Sequence, residues 1–505
     1  MEFLRKISHT IDGDLLEAMD NVLGLLATKL TLVSAKLDKF LESPSSSATP
    51  KSSWNVRRGR YAITKNTLDK IMGDLEQWQK RFDPCWFLMM RIASPLIDQE
   101  LANLKEKDSF KGPTTNHRLK VTSNATTKSP ASLADGLRDA LREQPQRSTS
   151  VFLPPDPLEL SPILFSVARL ALRHTAGKPP KQFIIDRFEI PLQSNQMTAK
   201  NDARNLARKL ANADPNTFGL LKAKGVMTGE GQRIEQVEQF NFVYYVPQHL
   251  TAPISLRQIL MQNHDCLHLS QQVRIARDLA TSVGFVHNFN FVHKNIHPES
   301  IILFGNSENS AMSTFLVGFE CFRSADAGSL RKGDADWHKD LYRHPTRQGL
   351  NPEASYVMQH DIYSLGLCLL ELGLSASLVS YSSPDQRPEP GPLLVQIEGG
   401  YGDGSVAGVV DSSQTTDEND DHQDMLPPGM RKAYRIKDSM LSLAKTRLSR
   451  RMGPRYSAVV ATCLTCLDVD NDDFGDESEM ADEDGIIVGV RFIEKIIAKL
   501  NDIAV

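Results

Sequence analysis

The sequence predicts an α+β protein that begins with a helical bundle, and three patterns carry this prediction. β-branched and aromatic residues dominate "QFIIDRFEI" and "FNFVYYV", which is typical of strands. The later stretches "VRIARDLATSVGFVH" and "DIYSLGLCLLELGL" are apolar and favour helices. Ahead of all four, apolar residues recur at steps of three or four between residues 4 and 41. Within residues 151–505 strands come first and helices dominate later, which is the α+β distribution.

The N-terminal pattern predicts one long amphipathic helix or two short ones, with Gly13 and Gly24 as weak points. A second helical run, "TLDKIMGDLEQWQKRF", ends where Pro84 removes a donor and disfavours helix before it. We therefore predict a helical bundle domain over residues 1–103. Its apolar stripes are interpreted as core packing, with membrane contact through an interfacial helix as the alternative.

Polar, basic and turn-rich composition predicts a flexible linker over residues 104–150. Disordered inserts are predicted near 376–428 and 468–485, which contain the acidic stretches "DSSQTTDENDDHQD" and "DVDNDDFGDESEMADEDG". Neither stretch has the EF-hand calcium-loop spacing, so both are interpreted as solvated loops.

Composition limits the classes of function. The formal net charge is −4, which argues against nucleic acid as a dominant partner. No apolar run approaches the roughly 18 residues that span a bilayer, and no secretory signal core is visible, so a cytoplasmic protein is expected. Six irregularly spaced cysteines do not form a disulfide framework. Cys463 and Cys466 form a lone C-x-x-C pair, which we interpret as buried structural thiols because no second pair completes a zinc site.

Four motifs in the C-terminal region resemble protein kinases. The segment "HKNIHPES", from His293 to Ser300, resembles the catalytic loop H-R-D-L-K-P-E-N, and "FLVGFE", at 315–320, stands where the strand ending in D-F-G belongs. "LYRHPTRQG" resembles the segment that ends in A-P-E, and "DIYSLGLCLLEL", beginning at Asp361, resembles the central buried helix of the large lobe. Their order implies a kinase-like domain with a small lobe over 151–250 and a mainly helical large lobe over 251–505.

A narrower resemblance is to filamentous-fungal kinase-like proteins that carry an N-terminal helical domain of the HeLo, or prion-inhibition-and-propagation, type. It rests on segments such as "YVMQHDIYSLG", "DEDGIIVGVRFIEKI" and, at 75–88, "LEQWQKRFDPCWFL". The likeness is weaker over residues 1–103.

The catalytic positions implied by the resemblance are degenerate. A working kinase uses the loop Asp as base and holds magnesium with the loop Asn and the D-F-G Asp. Here Asn295 has no basic lone pair, Ser300 offers a weak neutral oxygen, and Gly318 has no side chain. No catalytic residue, metal site or cofactor is therefore expected, although weak ATP binding is left open.

The phosphate-binding features are missing as well. No G-x-G-x-x-G occurs over residues 151–225, and "FIIDRFEI" places Asp186 and Arg187 where the resemblance would seek a lysine. A structural part is expected instead for the positions that match the family pattern, namely His293, Pro298, Glu299, Phe319, Pro345 and Asp361. In the kinase fold the Asp that begins the central helix accepts hydrogen bonds from the loop backbone, and here it would also cap its helix.

Three hypotheses of function follow. The first is a pseudokinase regulator whose N-terminal helical domain acts in membrane-directed fungal cell death or incompatibility, by fold-level analogy. The second is an atypical ATP-binding Ser/Thr protein kinase. The third is a scaffold that oligomerises through its helical region. Protein partners are expected in each case, with peripheral membrane association through residues 1–103 and homo-oligomerisation as open alternatives.

Overall fold

The computed structural model describes residues 2–11, 13–38, 83–92, 94–110, 129–141, 150–191, 196–228, 237–262, 267–306, 312–319, 323–324, 336–384, 386–399, 428–475 and 486–504. The chain divides into two compact units, residues 1–100 and 101–505. Among the described residues, no helix combines the length and the apolarity needed to cross a bilayer.

The first unit is helical throughout its described residues. Helix α1 (Glu2–Ile7) continues into a 3-10 turn (Ser8–Thr10), and α2 (Gly13–Asp38) follows. Residues 83–88 are helical and end in a second 3-10 turn (Met89–Arg91), and α3 (Pro95–Phe110) begins at the end of this unit.

The sequence pattern is confirmed at the start of this unit. Helix α2 begins at Gly13, one of the two weak points, whereas Gly24 lies inside α2. The first part of the apolar stripe is buried (Leu4, Ile7, Ile11, Leu15, Met19). Leu30, further along the same stripe, is 47% exposed. Because residues 39–82 lie outside the described residues, the bundle over 1–103 stays a prediction.

The predicted linker over 104–150 is wrong in part, because it contains helix. The end of α3 lies in it, and so does α4 (Pro130–Leu141). Leu133, Ala134 and Leu137 of α4 are buried, and Lys105 Nζ lies 2.5 Å from Asp135 Oδ2. Apolar residues at helical spacing in "PASLADGLRDAL" outweighed the polar composition around them.

Six strands form the sheet region, which we define as residues 150–249. They are β1 (Phe152–Leu153), β2 (Glu159–Pro162), β3 (Ala168–Thr175), β4 (Lys178–Pro191), β5 (Ala223–Thr228) and β6 (Val237–Tyr245). Their spatial order is β1-β5-β6-β4-β3-β2, and every pair is antiparallel except β1 with β5. Both strands predicted from sequence are present, within β4 and β6. Helix α5 (Gln196–Ala211) and the short α6 (Pro215–Phe218) connect β4 to β5.

Short strands and helices open the helical region, which we define as residues 250–504. In order they are β7 (Leu250–Ser255), α7 (Leu256–Met261), α8 (Leu269–Asn288), β8 (Phe291–Val292), β9 (Ile301–Asn306), β10 (Met312–Leu316), β11 (Arg323–Ser324), α9 (Trp337–Asp340) and α10 (Met358–Leu374). β10, β9 and β7 form one small sheet, and β11 pairs with β8. Helix α10 carries the predicted "DIYSLGLCLLEL" segment and is buried along almost its whole length.

The predicted disordered insert near 376–428 is wrong over its first part. β12 (Val379–Ser380), β13 (Glu389–Pro390) and α11 (Pro392–Gly399) lie within it. Leu378, Val379, Leu393 and Leu394 are buried, so the apolar residues here outweighed the proline and glycine content. Residues 400–427, with the first acidic stretch, lie outside the described residues, as do 476–485 of the second.

Helices complete the chain after this insert. They are α12 (Pro428–Leu443), a π-helical turn (Ala444–Leu448), α13 (Ser449–Met452), α14 (Pro454–Leu464), α15 (Ile486–Phe492), a second π-helical turn (Ile493–Ala498) and α16 (Lys499–Asn501). The architecture of residues 151–504 is mixed α+β, as the sequence predicts, and is consistent with a protein-kinase-like fold.

Glycines let α10 and its neighbours approach closely. A Cβ built on Gly366 would lie 2.6 Å from Cys463 Cβ of α14, and one on Gly373 would lie 2.5 Å from Leu448 Cδ1. Cys463 and Cys466 are both buried near this contact, and burial raises the pKa of each thiol.

We expect Gly366→Ala to destabilise the protein although alanine is the better helix former. The added methyl group overpacks the α10–α14 contact, which costs roughly 1–3 kcal/mol, and this exceeds the helix-propensity gain of about 1 kcal/mol. Gly429→Ala is the matched control, because nothing lies within 4 Å of a Cβ there. Urea unfolding of both variants measures the difference, and equal stability would contradict the packing argument.

Candidate functional site

The loop from His293 to Ser300 joins β8 to β9, and its backbone is hydrogen-bonded to the carboxylate of Asp361. The backbone N–H of His293 donates to Asp361 Oδ2 at 2.7 Å, and that of Lys294 donates to Oδ1 at 3.0 Å. Lys294 has φ +65°, a left-handed conformation that costs a non-glycine residue free energy. The two bonds to one carboxylate stabilise this strained turn.

Asp361 is completely buried yet ionised. Burial alone would raise the pKa of this carboxyl, but hydrogen bonds from His287 Nε2 (3.1 Å) and Tyr356 Oη (2.6 Å) lower the pKa below its ordinary value. Asp361 therefore accepts four hydrogen bonds from four different residues. The expectation that Asp361 caps its helix is wrong, because Val357 is the N-cap residue and Asp361 is the fourth residue of α10; its carboxylate binds the loop backbone instead.

The side-chain amide of Asn295, the residue that the kinase resemblance aligns with the catalytic base, connects two loops. Its Nδ2 donates to the carbonyl of Gly318 at 3.1 Å, and its Oδ1 lies 2.9 Å from His297 Nε2. The other ring nitrogen of His297, Nδ1, lies 2.8 Å from Glu299 Oε2. The side chain of Asn295 thus connects the 293–300 loop to the segment that contains Gly318.

Ser300 and Gly318 face each other across a tight contact. Ser300 Oγ donates to the carbonyl of His297 at 2.9 Å and accepts from its N–H at 3.2 Å, so it closes its own turn. Gly318 has φ +84°, and a Cβ built on it would lie 2.8 Å from Ser300 Cβ and 3.1 Å from Val167 Cγ2. The space that a metal-binding aspartate would need at position 318 is therefore occupied by neighbouring side chains.

Asp186 lies on β4, and its carboxylate is directed at the backbone of Gly318 and Phe319. It is 2% exposed, and Oδ2 accepts the N–H groups of both Gly318 and Phe319 at 2.9 Å. Arg187, the next residue, is exposed, as the alternation of a strand requires. The structure thus places a buried anion where the kinase resemblance would seek a lysine that binds phosphate.

The loop between β2 and β3 is attached to the loop that contains Glu299. Ser166 Oγ and the N–H of Val167 both donate to the backbone carbonyl of Glu299, at 3.0 and 3.2 Å. Ser255 Oγ donates to the carbonyl of Leu164 at 2.7 Å. The same loop places Val167 against Gly318, since a Cβ built on Gly318 would lie 3.1 Å from Val167 Cγ2.

Glu299 belongs to a buried charge network centred on Arg257. The guanidinium contacts Glu299 through Nε and Nη2, at 2.9 and 3.2 Å, and Glu371 Oε1 through Nη1 at 2.9 Å. Tyr342 Oη donates to Glu371 Oε2 at 2.8 Å and accepts from Arg257 Nη2 at 2.5 Å.

The two carboxyls of this network respond differently to burial. Burial alone would raise the pKa of Glu299, but the guanidinium and His297 lower it well below its ordinary value. Burial raises the pKa of Glu371, which lies entirely inside the protein, despite the same guanidinium.

The remaining predicted positions have packing roles. The rings of His293 and Phe319 lie 4.6 Å apart, and burial lowers the pKa of His293 to about 4. Pro298 and Pro345 each begin a 3-10 turn, the first within the loop and the second in a separate segment after α9. The structure therefore brings together all the predicted site residues except Pro345.

Sequence reasoning missed the partners that hold the site. The sequence gave no sign of the network formed by Arg257, Glu371 and Tyr342. Nothing in the residues around each of them shows that three distant segments meet. The role of Asp186 was also missed. A single charge within the apolar run "FIIDRFEI" was the available sign, since a buried carboxylate needs hydrogen-bond donors.

No cluster of three or more histidine, cysteine or carboxylate side chains suited to a metal ion occurs among the described residues. A search of protein-family models finds no match for this chain. One curated relative is eukaryotic translation initiation factor 2-alpha kinase 1 of Rattus norvegicus, which is 31% identical over 115 residues. The match covers 20% of this chain and 17% of the relative, so the chain spans under a fifth of the relative's length. This likeness supports a protein-kinase-like chain and nothing finer.

We expect Gly318→Ala to destabilise the protein by about 2–4 kcal/mol, since a strained left-handed backbone and an overpacked contact each cost roughly 1–3 kcal/mol. Gly349→Ala separates the two causes, because Gly349 has φ +75° but nothing within 4 Å of a Cβ. The free energy of unfolding of Gly349→Ala should be about 1–2 kcal/mol lower than that of wild type. Chemical unfolding checks both values. If Gly318→Ala is no worse than Gly349→Ala, the contact with Ser300 is not a tight one.

Proposed function

We propose that residues 151–505 form a catalytically degenerate protein-kinase-like region that acts in intracellular signalling through its conformation and not through phosphotransfer. The observation that carries this proposal is the Asp186 carboxylate, which accepts the backbone N–H groups of Gly318 and Phe319. A buried carboxylate at that place repels a triphosphate, which needs cations and free N–H donors.

Three further contacts support the same conclusion. The amide of Asn295 is committed to Gly318 and His297, and it has no basic lone pair to accept a proton. Ser300 closes its own turn, and no carboxylate is available at position 318 for magnesium. The loop between β2 and β3 is bonded to Glu299, so the chain itself fills the space over the site.

A kinase that had only lost its catalytic groups would retain an open cleft. Here hydrogen bonds from Asp186 and Ser166 join the sheet region to the helical region at this place, and Asp361 binds the loop backbone. Such bonds within the chain, made without nucleotide, suit a regulator that binds proteins. The competing function, an atypical ATP-binding Ser/Thr kinase, would need Asp186 to leave the Gly318–Phe319 backbone.

We expect no rise in melting temperature when the full chain is titrated with ATP, with or without Mg²⁺, up to millimolar concentration. A ligand at a hundred times its Kd would stabilise the folded state by about 2.7 kcal/mol, which such a titration detects readily. Asn295→Asp combined with Ser300→Asn should not restore binding or phosphotransfer, because Asp186 and Val167 still occupy the site. A rise in wild type that depends on Mg²⁺ would favour the kinase hypothesis instead.

We further propose that the N-terminal helical unit is the output of this regulator, resembling HeLo-type domains. Its support is the helical spacing of apolar residues in the sequence and an apolar stripe in which Ile7, Leu15 and Met19 are buried while Leu30 is exposed. Such a stripe can pack in a core or lie on a membrane surface.

If the unit acts on membranes, the full chain should release dye from vesicles that contain anionic lipid, and Leu30→Glu should reduce the rate several-fold because a charge opposes insertion. Leu160→Glu is the matched control, since Leu160 is similarly exposed, at 49%, on β2. Equal leakage by both variants, or none by wild type, would remove the membrane role and leave oligomerisation, which light scattering tests.

A further inference from the structure

The face of the sheet region that carries Phe183 also carries a group of cations. In the pairing of β3 with β4, Arg173 lies opposite Lys181 and Arg169 lies opposite Ile185. Opposed residues of an antiparallel pair share a face, and residues two apart along one strand share a face too. Because Lys181 and Ile185 stand two residues on either side of Phe183, both arginines and Lys181 lie on the Phe183 face.

Lys224 of β5 joins the same face through contact with an aromatic ring. Its Nζ lies 5.0 Å from the centroid of the Phe183 ring. Lys181 Nζ lies 5.7 Å from that centroid and 4.8 Å from the centroid of the Tyr245 ring. An ammonium group within about 6 Å of a ring centroid is attracted to the ring, so both lysines are held on this face. We call the four cations the basic sheet face: Arg169, Arg173, Lys181 and Lys224.

Little negative charge balances the basic sheet face. Asp156 is shared by two of its members, with Oδ1 3.5 Å from Arg173 Nε and Oδ2 3.4 Å from Lys224 Nζ. Arg169 and Lys181 are exposed, and among the described residues no carboxylate pairs with either. Arg173 and Lys181 are moreover like charges directly opposite each other, which destabilises a strand pair. An external anion would relieve this repulsion.

The other face of the same strands has its charges paired. His174 Nε2 lies 2.8 Å from Glu159 Oε2, and Glu159 lies opposite Leu172, which alternates with the members of the basic sheet face. On β4, Asp186 also alternates with those members, and its carboxylate binds the Gly318 backbone. The basic sheet face is therefore separate from the site around Gly318, and a ligand can bind it without entering that site.

The spacing of the cations indicates the chemistry of the ligand. Arg169 and Arg173 are four residues apart on β3, which is about 13 Å at roughly 3.3 Å per residue. A single phosphate group cannot contact both. An extended acidic peptide can, because every second side chain of an extended chain points to the same side, with a repeat of about 6.6 Å.

The aromatic rings argue against single-stranded nucleic acid as the ligand. Bases bind proteins by stacking on open ring faces, but Phe183 is only 1% exposed and lies beside two ammonium groups. The net charge of −4 also opposes the binding of a long polyanion. A short acidic segment can match four cations with far less of this repulsion.

We propose that the basic sheet face is a docking surface for an acidic segment of a partner protein, which lies extended across β3 and β4. Each exposed ion pair is weak and screened by salt, so the affinity depends on several pairs acting together. Docking is therefore reversible and salt-dependent. The proposal goes beyond the function proposed above, because it holds whether or not the site around Gly318 binds nucleotide.

Binding of a labelled acidic peptide to the full chain tests the proposal. The probe is a fluorescent peptide of repeating Ser-Glu, whose glutamates fall on one side of an extended chain, and repeating Ser-Gln of the same length is the control peptide. The acidic peptide should bind at low salt, with an affinity that falls steeply as salt is added. The control peptide should bind at least tenfold more weakly.

Two triple variants identify the surface. The first removes three members of the basic sheet face and should weaken binding of the acidic peptide at least tenfold: Arg169→Gln, Arg173→Gln and Lys181→Gln. The second removes the same charge from exposed positions of the helical region and should leave the affinity unchanged: Arg435→Gln, Lys445→Gln and Arg450→Gln.

A single variant should change the affinity in the opposite direction. Asp156→Asn should raise the affinity for the acidic peptide severalfold, because Arg173 and Lys224 then lose the carboxylate that they share. A protein that had merely failed to fold could not produce this gain.

Five outcomes would overturn the proposal. Wild type does not bind the acidic peptide; the control peptide binds equally well; both triple variants lose binding equally; Asp156→Asn does not raise the affinity; or wild type binds phosphatidylserine vesicles and not the peptide, which would make the basic sheet face a lipid surface.

Discussion

The carboxylate of Asp361 is the interaction on which the rest of the site depends. It is buried at the start of α10, where it accepts two backbone N–H groups of the 293–300 loop together with His287 and Tyr356. A buried charge is stable only when its hydrogen bonds are satisfied, so the loop cannot move without a large cost in free energy. Asn295, Glu299 and Ser300 are thereby fixed in positions from which they contact other segments.

Segments of the sheet region bond to this loop and to the Gly318–Phe319 backbone. Asp186 of β4 accepts the backbone N–H groups of Gly318 and Phe319, and Ser166 and Val167 donate to the carbonyl of Glu299. Under the function proposed above, these bonds take the place that phosphates and magnesium have in an active kinase.

Arg257 joins this site to the helical region. Its guanidinium lies between Glu299 and Glu371, with Tyr342 bonded to both the arginine and Glu371. Removing one member would leave an unpaired buried charge, so such a network fixes a single arrangement more than it adds net stability. The loop is thus bonded at two places, to Asp361 through the backbone of His293 and Lys294 and to Arg257 through the side chain of Glu299.

The sequence by itself determined the elements whose signal is local. Strand composition located β4 and β6, apolar spacing located α8 and α10, and the motif around His293 located the loop, with the losses at Asn295, Ser300 and Gly318 readable from residue type alone. Composition misled where a short apolar pattern lay inside polar sequence, as in α4 and in α11.

Only the tertiary structure decided what the substituted residues do. The bond from Asp186 to Gly318 joins residues 132 positions apart, and that from Arg257 to Glu371 joins residues 114 apart. No periodicity records such contacts, because they depend on how strands and helices pack and not on the order of neighbouring residues. Residue type indicates which positions depart from the kinase pattern, and the three-dimensional arrangement shows which contacts the residues at those positions make.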